Sequence, residues 1–305
     1  MDGERGQGTV EWIGMLLCVS LLMAGLVAVG VRVPGGELAR LVASRILCAA
    51  SIADGCGDEP VLIAEYGTEV GKLVREHMPT IVFEDGSRAL PVDFRRCRAT
   101  SCGDGEEDGL VHRTDERLPV TAFVRVVDCR EGEDSGAAGA DCSGPRAGNL
   151  YIEYFTYYAD SATLRDVPIV GDEGFHLDDW EMVEIRIGPD GQVDERASSH
   201  HGYNYERGVA NWGSDAGIGL FTDLAETIGA RNANGWGPET GLLLVSGGSH
   251  AGNAAGDHDL ERFIPGRRVH LIPLEPIAAA DTSTFAIHPP WRKHVWLDPE
   301  AEGTD

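Results

Sequence analysis

The stretch that most constrains this chain is His176-Leu-Asp-Asp-Trp-Glu-Met-Val-Glu-Ile-Arg-Ile187. Val183, Ile185 and Ile187 alternate with Met182, Glu184 and Arg186, the period-2 pattern of a half-buried strand. Asp179 and Glu181 share the parity of the apolar residues, so two carboxylates begin on the core-facing side. An unpaired charge there is very costly, and a bound cation or a set of strong donors must compensate it. The following Gly188-Pro-Asp-Gly191 supplies a fixed φ and a glycine able to go left-handed, which predicts a short turn. A three-residue loop places Ile187 opposite Val193, Val183 opposite Ala197 and Asp179 opposite His201. A four-residue loop would face the apolar side with Gln192, Asp194 and Arg196 and would pack worse. In either register Ser198-Ser-His-His201 returns beside the two acids. Carboxylates and an imidazole then form a ligand set for a hard or borderline divalent cation.

Three short motifs carry a resemblance: His176-Leu-Asp-Asp-Trp-Glu181, Ser199-His-His-Gly-Tyr203 and Val245-Ser-Gly-Gly-Ser-His250-Ala. Together they resemble the vacuolar protein sorting-associated protein 62 family and the related necrosis- and ethylene-inducing peptide-like proteins. The resemblance spans roughly residues 61 to 299. It implies a β-sandwich with a divalent metal near the Asp-Trp-Glu tripeptide, and in the necrosis-inducing branch an attack on membranes bearing particular sphingolipids. By position it carries His176, Asp179 and Glu181 into the pocket, with Asp160 as the upstream acid and His250 as the later histidine. Asp178 stands where the necrosis-inducing motif has its second histidine, and the Gly-His-Arg-His opening is missing. That departure weighs against toxin activity more than against a metal pocket.

Read by themselves, the flanking segments agree with such a fold. Leu150 to Asp160 alternates Ile152, Tyr154, Thr156 and Tyr158 and closes on Asp160 on the same face, a core strand ending in an acid. Gly241 to Ser246 is an apolar strand, and Gly247-Gly-Ser-His250 turns sharply after it, exposing the imidazole at a strand end. Val61 to His77 has helical spacing and stops before Pro79. Thr80–Phe83, Val120–Val127 and Arg267–Leu274 read as further strands. The segment from Asn204 to Trp236 is either a lid or a long surface excursion. Residues 103–117 and 130–149 read as acidic, Gly-rich mobile loops. His288-Pro-Pro-Trp291 and Val295-Trp296 are expected to close the sandwich edge, and His258, His270, His288 and His294 to be structural.

The region before the domain has a different character. Trp12 to Val31 has no formal charge and, at about 1.5 Å per residue, is long enough to cross a bilayer. It outruns a signal-peptide core and ends without a small-x-small cleavage site. Ahead of it, Gly6 and Glu11 have the spacing of a Flp-type pilin or tight-adherence pseudopilin leader, which this segment resembles. The resemblance implies cleavage after Gly6. A glutamate at the top of an apolar helix is costly in lipid unless it pairs, for instance with a neighbouring chain's amine. The organisation expected is a leader (1–9), a transmembrane helix (10–32), a stalk (33–60), a β-sandwich with peripheral helices (61–299) and a disordered acidic tail (300–305).

Topology rests on two opposing signals. Arg32, Arg40 and Arg45 after the span would hold the domain in the cytoplasm. Cys48, Cys56, Cys97, Cys102, Cys129 and Cys142, an even set amid Gly, Asp and Ser, read as disulfides in an oxidising compartment, with connectivity open. The cysteines and the leader outweigh the arginines, which puts the large domain outside the cytoplasm, anchored in the cell membrane by a single pass. The net charge of −25 excludes nucleic acid, whose affinity rests on cationic contacts.

Three functions compete at this stage. The first is a surface-displayed recognition module that binds a glycan or lipid head group through a divalent metal. Calcium or magnesium suits its oxygen-rich ligands best, and manganese and zinc stay open. The second is a minor pilin working with pilus or secretion-assembly proteins. The third is a metal-dependent hydrolase in which Asp, Glu and His activate water. No nucleophile elbow, Walker loop or His-Glu-x-x-His occurs, so enzyme activity is left undecided, leaning towards none.

Overall fold

The alternating stretch forms strand β4 (His176–Ile187), near the middle of the larger of two sheets. The computed structural model describes residues 59–84, 89–95, 118–131, 139–161, 176–199, 202–205, 235–256 and 260–301. All of these fall in the unit Gly57–Asp305. The leader with Gly6 and Glu11, the apolar run, His201, and Cys48, Cys56, Cys97 and Cys102 lie outside the described residues. No helix among the described residues is long and apolar enough to cross a membrane.

In chain order the elements are α1 (Glu59–Glu76), β1 (Thr80–Glu84), β2 (Thr121–Asp128), β3 (Leu150–Ser161), β4, β5 (Val193–Ser199) and β6 (Gly202–Asn204). Then come β7 (Gly237–Pro238), β8 (Leu242–Val245), β9 (Gly252–Asn253), β10 (Leu260–Ile264), β11 (His270–Pro273) and α2 (Glu275–Ala280). The small sheet runs β10-β1-β8-β9. The large one runs β11-β2-β3-β4-β5-β6, with β7 also on β5. The chain is therefore mainly β, a two-sheet sandwich. The register β4–β5 pairs Ile187 with Val193 and Val183 with Ala197, as the three-residue loop requires.

The core between the sheets takes one parity from each strand. Ile152, Tyr154, Val183 and Ile185 from the large sheet meet Ile81, Phe83, Leu243 and Val245 from the small one. Helix α1 closes one end with Leu62, Val70 and Val74. It breaks at Gly67, whose φ of 80° favours glycine. The two helical halves then approach so closely that a Cβ on Gly71 would lie 2.9 Å from the Ile63 nitrogen.

The opposite face of the large sheet departs from the half-buried expectation, because it too is covered. Residues 281–301 cross it as a strap containing two short helical turns, Pro290–Arg292 and His294–Trp296. Val295, Trp291 and Trp296 pack there against Phe155, Trp180 and Met182. The segment expected to close the sandwich edge thus lies over a face. Further along that face, polar positions that alternation would give to solvent are fully buried. Arg125, Glu153, Glu184 and Arg196 stand opposite one another across β2, β3, β4 and β5. Arg125 Nη1 is 2.9 Å from Glu153, and Arg196 Nε is 2.7 Å from Glu184. The guanidinium groups also donate to strap carbonyls: Arg125 to Trp296, and Arg196 to Pro299 (2.7 Å) and Ala301 (3.2 Å). The segment read as a tail begins with Glu300, whose carboxylate accepts from Tyr151, Arg186 and Trp236.

One disulfide closes a loop on this side. Cys129 and Cys142, 13 residues apart, are joined with a Cα–Cα distance of 5.3 Å.

Candidate functional site

The site begins where β5 leaves β4. Val183–Ala197 is the last pair between them, and Ser198 and Ser199 instead pair with Tyr203 and Gly202 of β6. The expected partner of Asp179, His201, lies outside the described residues, and β5 has already turned into its own hairpin. In the gap, the Met182 N–H donates to Ser198 Oγ at 2.6 Å. The same hydroxyl donates to Glu181 Oε2. One serine thus replaces a strand carbonyl and satisfies a carboxylate.

Asp179 stands opposite Tyr158 on β3, on the core-facing parity that the alternation predicts. The turn after β8 brings His250 to it, with Nδ1 2.7 Å from Asp179 Oδ2. A carboxylate only accepts, so Nδ1 carries the proton in this contact. The imidazole stacks on the Tyr158 ring at 3.9 Å and 5°. Its Nε2 is buried and has no hydrogen-bond partner among the described residues. His176 sits at the rim, 37% exposed, with Nε2 3.9 Å from Asp179 Oδ1. Asp160 is buried on β3, opposite Leu177. The structure therefore brings Asp179, His250 and His176 together, with Glu181 on the same strand face and Asp160 one strand pair beyond Tyr158.

Two backbone features mark the same contact. Among the described residues, the non-glycine residues with left-handed φ are Asp178 (64°) and His250 (55°). Such conformations persist where surroundings over-determine them, and they cluster at functional sites. Asp178 is buried, and its carboxylate accepts from Tyr157 Oη at 2.8 Å and from the Ala286 N–H at 2.7 Å.

The electrostatics differ from those of the arginine ladder on the opposite face. Glu153 and Glu184 each meet a guanidinium, whereas Asp179 meets an imidazole and Glu181 a hydroxyl. Desolvation first, then the neighbouring charge of Asp179, holds the Glu181 carboxyl well above its ordinary range. The Ser198 hydroxyl and the Lys293 charge oppose that shift. Burial, followed by Glu181 and Asp179, likewise raises the Tyr158 phenol. Lys293 and Ser198 line a small cleft with Phe155, Trp180, Met182, Pro290 and Val295.

The donors that could meet a cation are the carboxylates of Asp179 and Glu181; His250 is committed to Asp179 through Nδ1, and its Nε2 lies on the far side of the ring from that bond. Among the described residues no three His, Cys, Asp or Glu side chains converge as a ready cage. A cation held here would complete its shell with water or with ligand oxygens.

Sequence reasoning missed Tyr158 as a stacking partner, Ser198 as a bridge and Asp178 as a clasp. The parity of Tyr158 with Asp160 signalled the first. The other two depend on where β5 and the strap run, which no local pattern encodes.

Models of known protein families give no match to this sequence, and neither do curated protein sequences. Solved structures give loose overlaps. One, described as NLPPya in complex with mannosamine, is 16% identical with a TM-score of 0.38, covering 74% of this chain and 86% of that one. Another, NLPPya in complex with glucosamine, has the same identity and coverage and a TM-score of 0.37. A third is the Necrosis and Ethylene inducing Protein 2 from the causal agent of cocoa's Witches Broom disease. It is 16% identical with a TM-score of 0.33, covering 68% of this chain and 75% of that one. At these values the site's own residues must carry any reading of its chemistry.

Proposed function

We propose that this chain displays a recognition module outside the cytoplasm, tethered by its N-terminal apolar run. Its Asp179–Glu181 cluster binds one divalent cation, calcium or magnesium first, and through it the hydroxyls of a glycan or lipid head group. The observation that carries this reading is that two neighbouring carboxylates from one strand face, Asp179 and Glu181, meet an imidazole and a hydroxyl rather than guanidinium groups. The same protein gives its other pair of facing buried acids, Glu153 and Glu184, an arginine each, so the lighter compensation of the Asp179–Glu181 pair leaves a place for a mobile cation. The Cys129–Cys142 disulfide favours an oxidising compartment.

Recognition fits better than metal-assisted hydrolysis because the groups that would take a proton from water are already engaged, His250 Nδ1 with Asp179 and Glu181 with the Ser198 hydroxyl. An oxygen-bound cation also chelates vicinal hydroxyls without any reaction. Binding to the folded state alone raises stability by RT ln(1 + [L]/Kd), about 2.7 kcal/mol at a hundredfold excess over Kd. The test is thermal unfolding of the full chain in detergent, with chelator and with graded calcium or magnesium, followed by glycan and lipid-vesicle binding under both conditions. Wild type should gain stability and bind only with the cation, and Asp179→Asn should lose both responses. Equal melting with and without cation, and chelator-insensitive binding, would remove the cation from the mechanism.

A further inference from the structure

Asp178 interrupts β4 one residue before Asp179, and three observations converge on it. It adopts a left-handed conformation that an L-residue takes at a cost, although Asp and Asn bear it better than most. Its carboxylate is shared between two other parts of the fold: Oδ1 accepts from Tyr157 on β3, and Oδ2 accepts from the Ala286 N–H in the strap. Its side chain is buried on the strap side, while Asp179 next to it faces the core and His250.

We infer that Asp178 is a positioning residue: the clasp between Tyr157 and Ala286 fixes the left-handed turn that aims the Asp179 carboxylate at His250. Relaxing Asp178 into ordinary strand geometry would rotate the peptide joining it to Asp179. The 2.7 Å contact with His250 has no slack to absorb that rotation. His250 carries a left-handed φ as well, so both ends of the contact are set by backbone turns and not by side-chain search. The strap thereby reaches the core-facing site through one residue, although it covers the other face of the sheet. This assignment rests on the Asp179–His250 site described above but not on what that site binds.

The test uses the full chain in detergent with isotope-labelled histidine. The readout is the His250 Nδ1 ring proton, which a buried bond to a carboxylate keeps in slow exchange. Asp178→Asn retains an acceptor and tolerates the left-handed turn, and it should keep that resonance. Asp178→Ala loses both bonds and disfavours the turn, and it should lose or broaden the resonance while circular dichroism stays that of the wild type. A merely structural clasp would predict a lower melting temperature in Asp178→Ala with the ring proton unchanged, and that result would overturn the proposal. Should Asp178→Ala not fold, Tyr157→Phe removes one bond at constant shape. A broadened ring proton in that variant supports positioning, and an unchanged one overturns it. A wild-type chain without any cation response whose ring proton still depends on Asp178 would overturn the cation reading alone.

Discussion

Glu153 and Glu184 stand directly opposite each other on adjacent strands, both fully buried, and each is held by an arginine from the strand beyond it. Two like charges side by side would repel, and the order arginine, glutamate, glutamate, arginine makes the row neutral across four strands. Removing one partner of such a buried pair leaves an uncompensated charge. Arg196→Met should therefore lower stability by about 3–5 kcal/mol. The double variant Arg196→Met with Glu184→Gln should recover part of that loss. Urea unfolding of the three proteins gives the comparison, and a double variant no better than the single one would put the loss in the strap bonds to Pro299 and Ala301.

A second prediction concerns pH. Burial pushes the Glu195 carboxyl up to about 7 from an ordinary 4.5, even though Thr240 donates to it. Desolvation raises Glu181 in the same direction. The folded state then holds protons that the unfolded chain has released, so stability is greatest below the ordinary carboxylate range and falls as pH rises through the folded values. Melting temperatures should decline between about pH 5 and pH 7. A rise over that interval would mean these carboxylates are ionised in the fold, with partners beyond those seen.

Much of the fold could be read from residues alone. The alternation of Asp179, Glu181, Val183 and Ile185 and the Gly188–Gly191 turn yield both the strand and its register, because side-chain parity and loop length are local quantities. The turn that carries His250 was legible for the same reason, a glycine pair after an apolar strand; that the imidazole is buried there against Tyr158 and not exposed was not. The Arg125–Glu153–Glu184–Arg196 row was not legible. Polar residues at alternate positions normally face water, and only a strap distant in sequence reverses that. The histidine, proline and tryptophan residues of the strap have no period to betray what they cover.

A third prediction isolates Ser198. Its hydroxyl accepts from the Met182 N–H and donates to Glu181. Ser198→Ala strands a buried donor and should cost about 1–3 kcal/mol. It also removes a bond that lowers the Glu181 carboxyl, so that group should titrate higher still. Carboxyl carbon shifts followed against pH would show this, and an unmoved Glu181 would mean that water takes over the hydroxyl's place.

The disulfide supplies a fourth. Cutting the Cys129–Cys142 link with Cys129→Ser frees a loop of 13 residues' separation. From the loop entropy alone the folded state should lose about 3 kcal/mol. Reductant should lower the melting temperature of the wild type by more than that of the variant. Equal melting of both proteins under oxidising conditions would mean that the cysteines remain thiols in the native host.

The strap also sets an order of events during synthesis. The guanidinium groups of Arg125 and Arg196 take their main-chain acceptors from Trp296, Pro299 and Ala301, at the very end of the described chain. A nascent polypeptide that has emerged only as far as β11 has every strand of the large sheet but none of these acceptors. The sheet must therefore wait, partly assembled and with a charged, aromatic face open to solvent, until translation has delivered these residues. Limited proteolysis of released chains ending at residue 280 and at residue 301 would show protection arriving only with the longer one. The polar row and the aromatic cluster beside it thus close last, for every molecule made, once those final residues are in place.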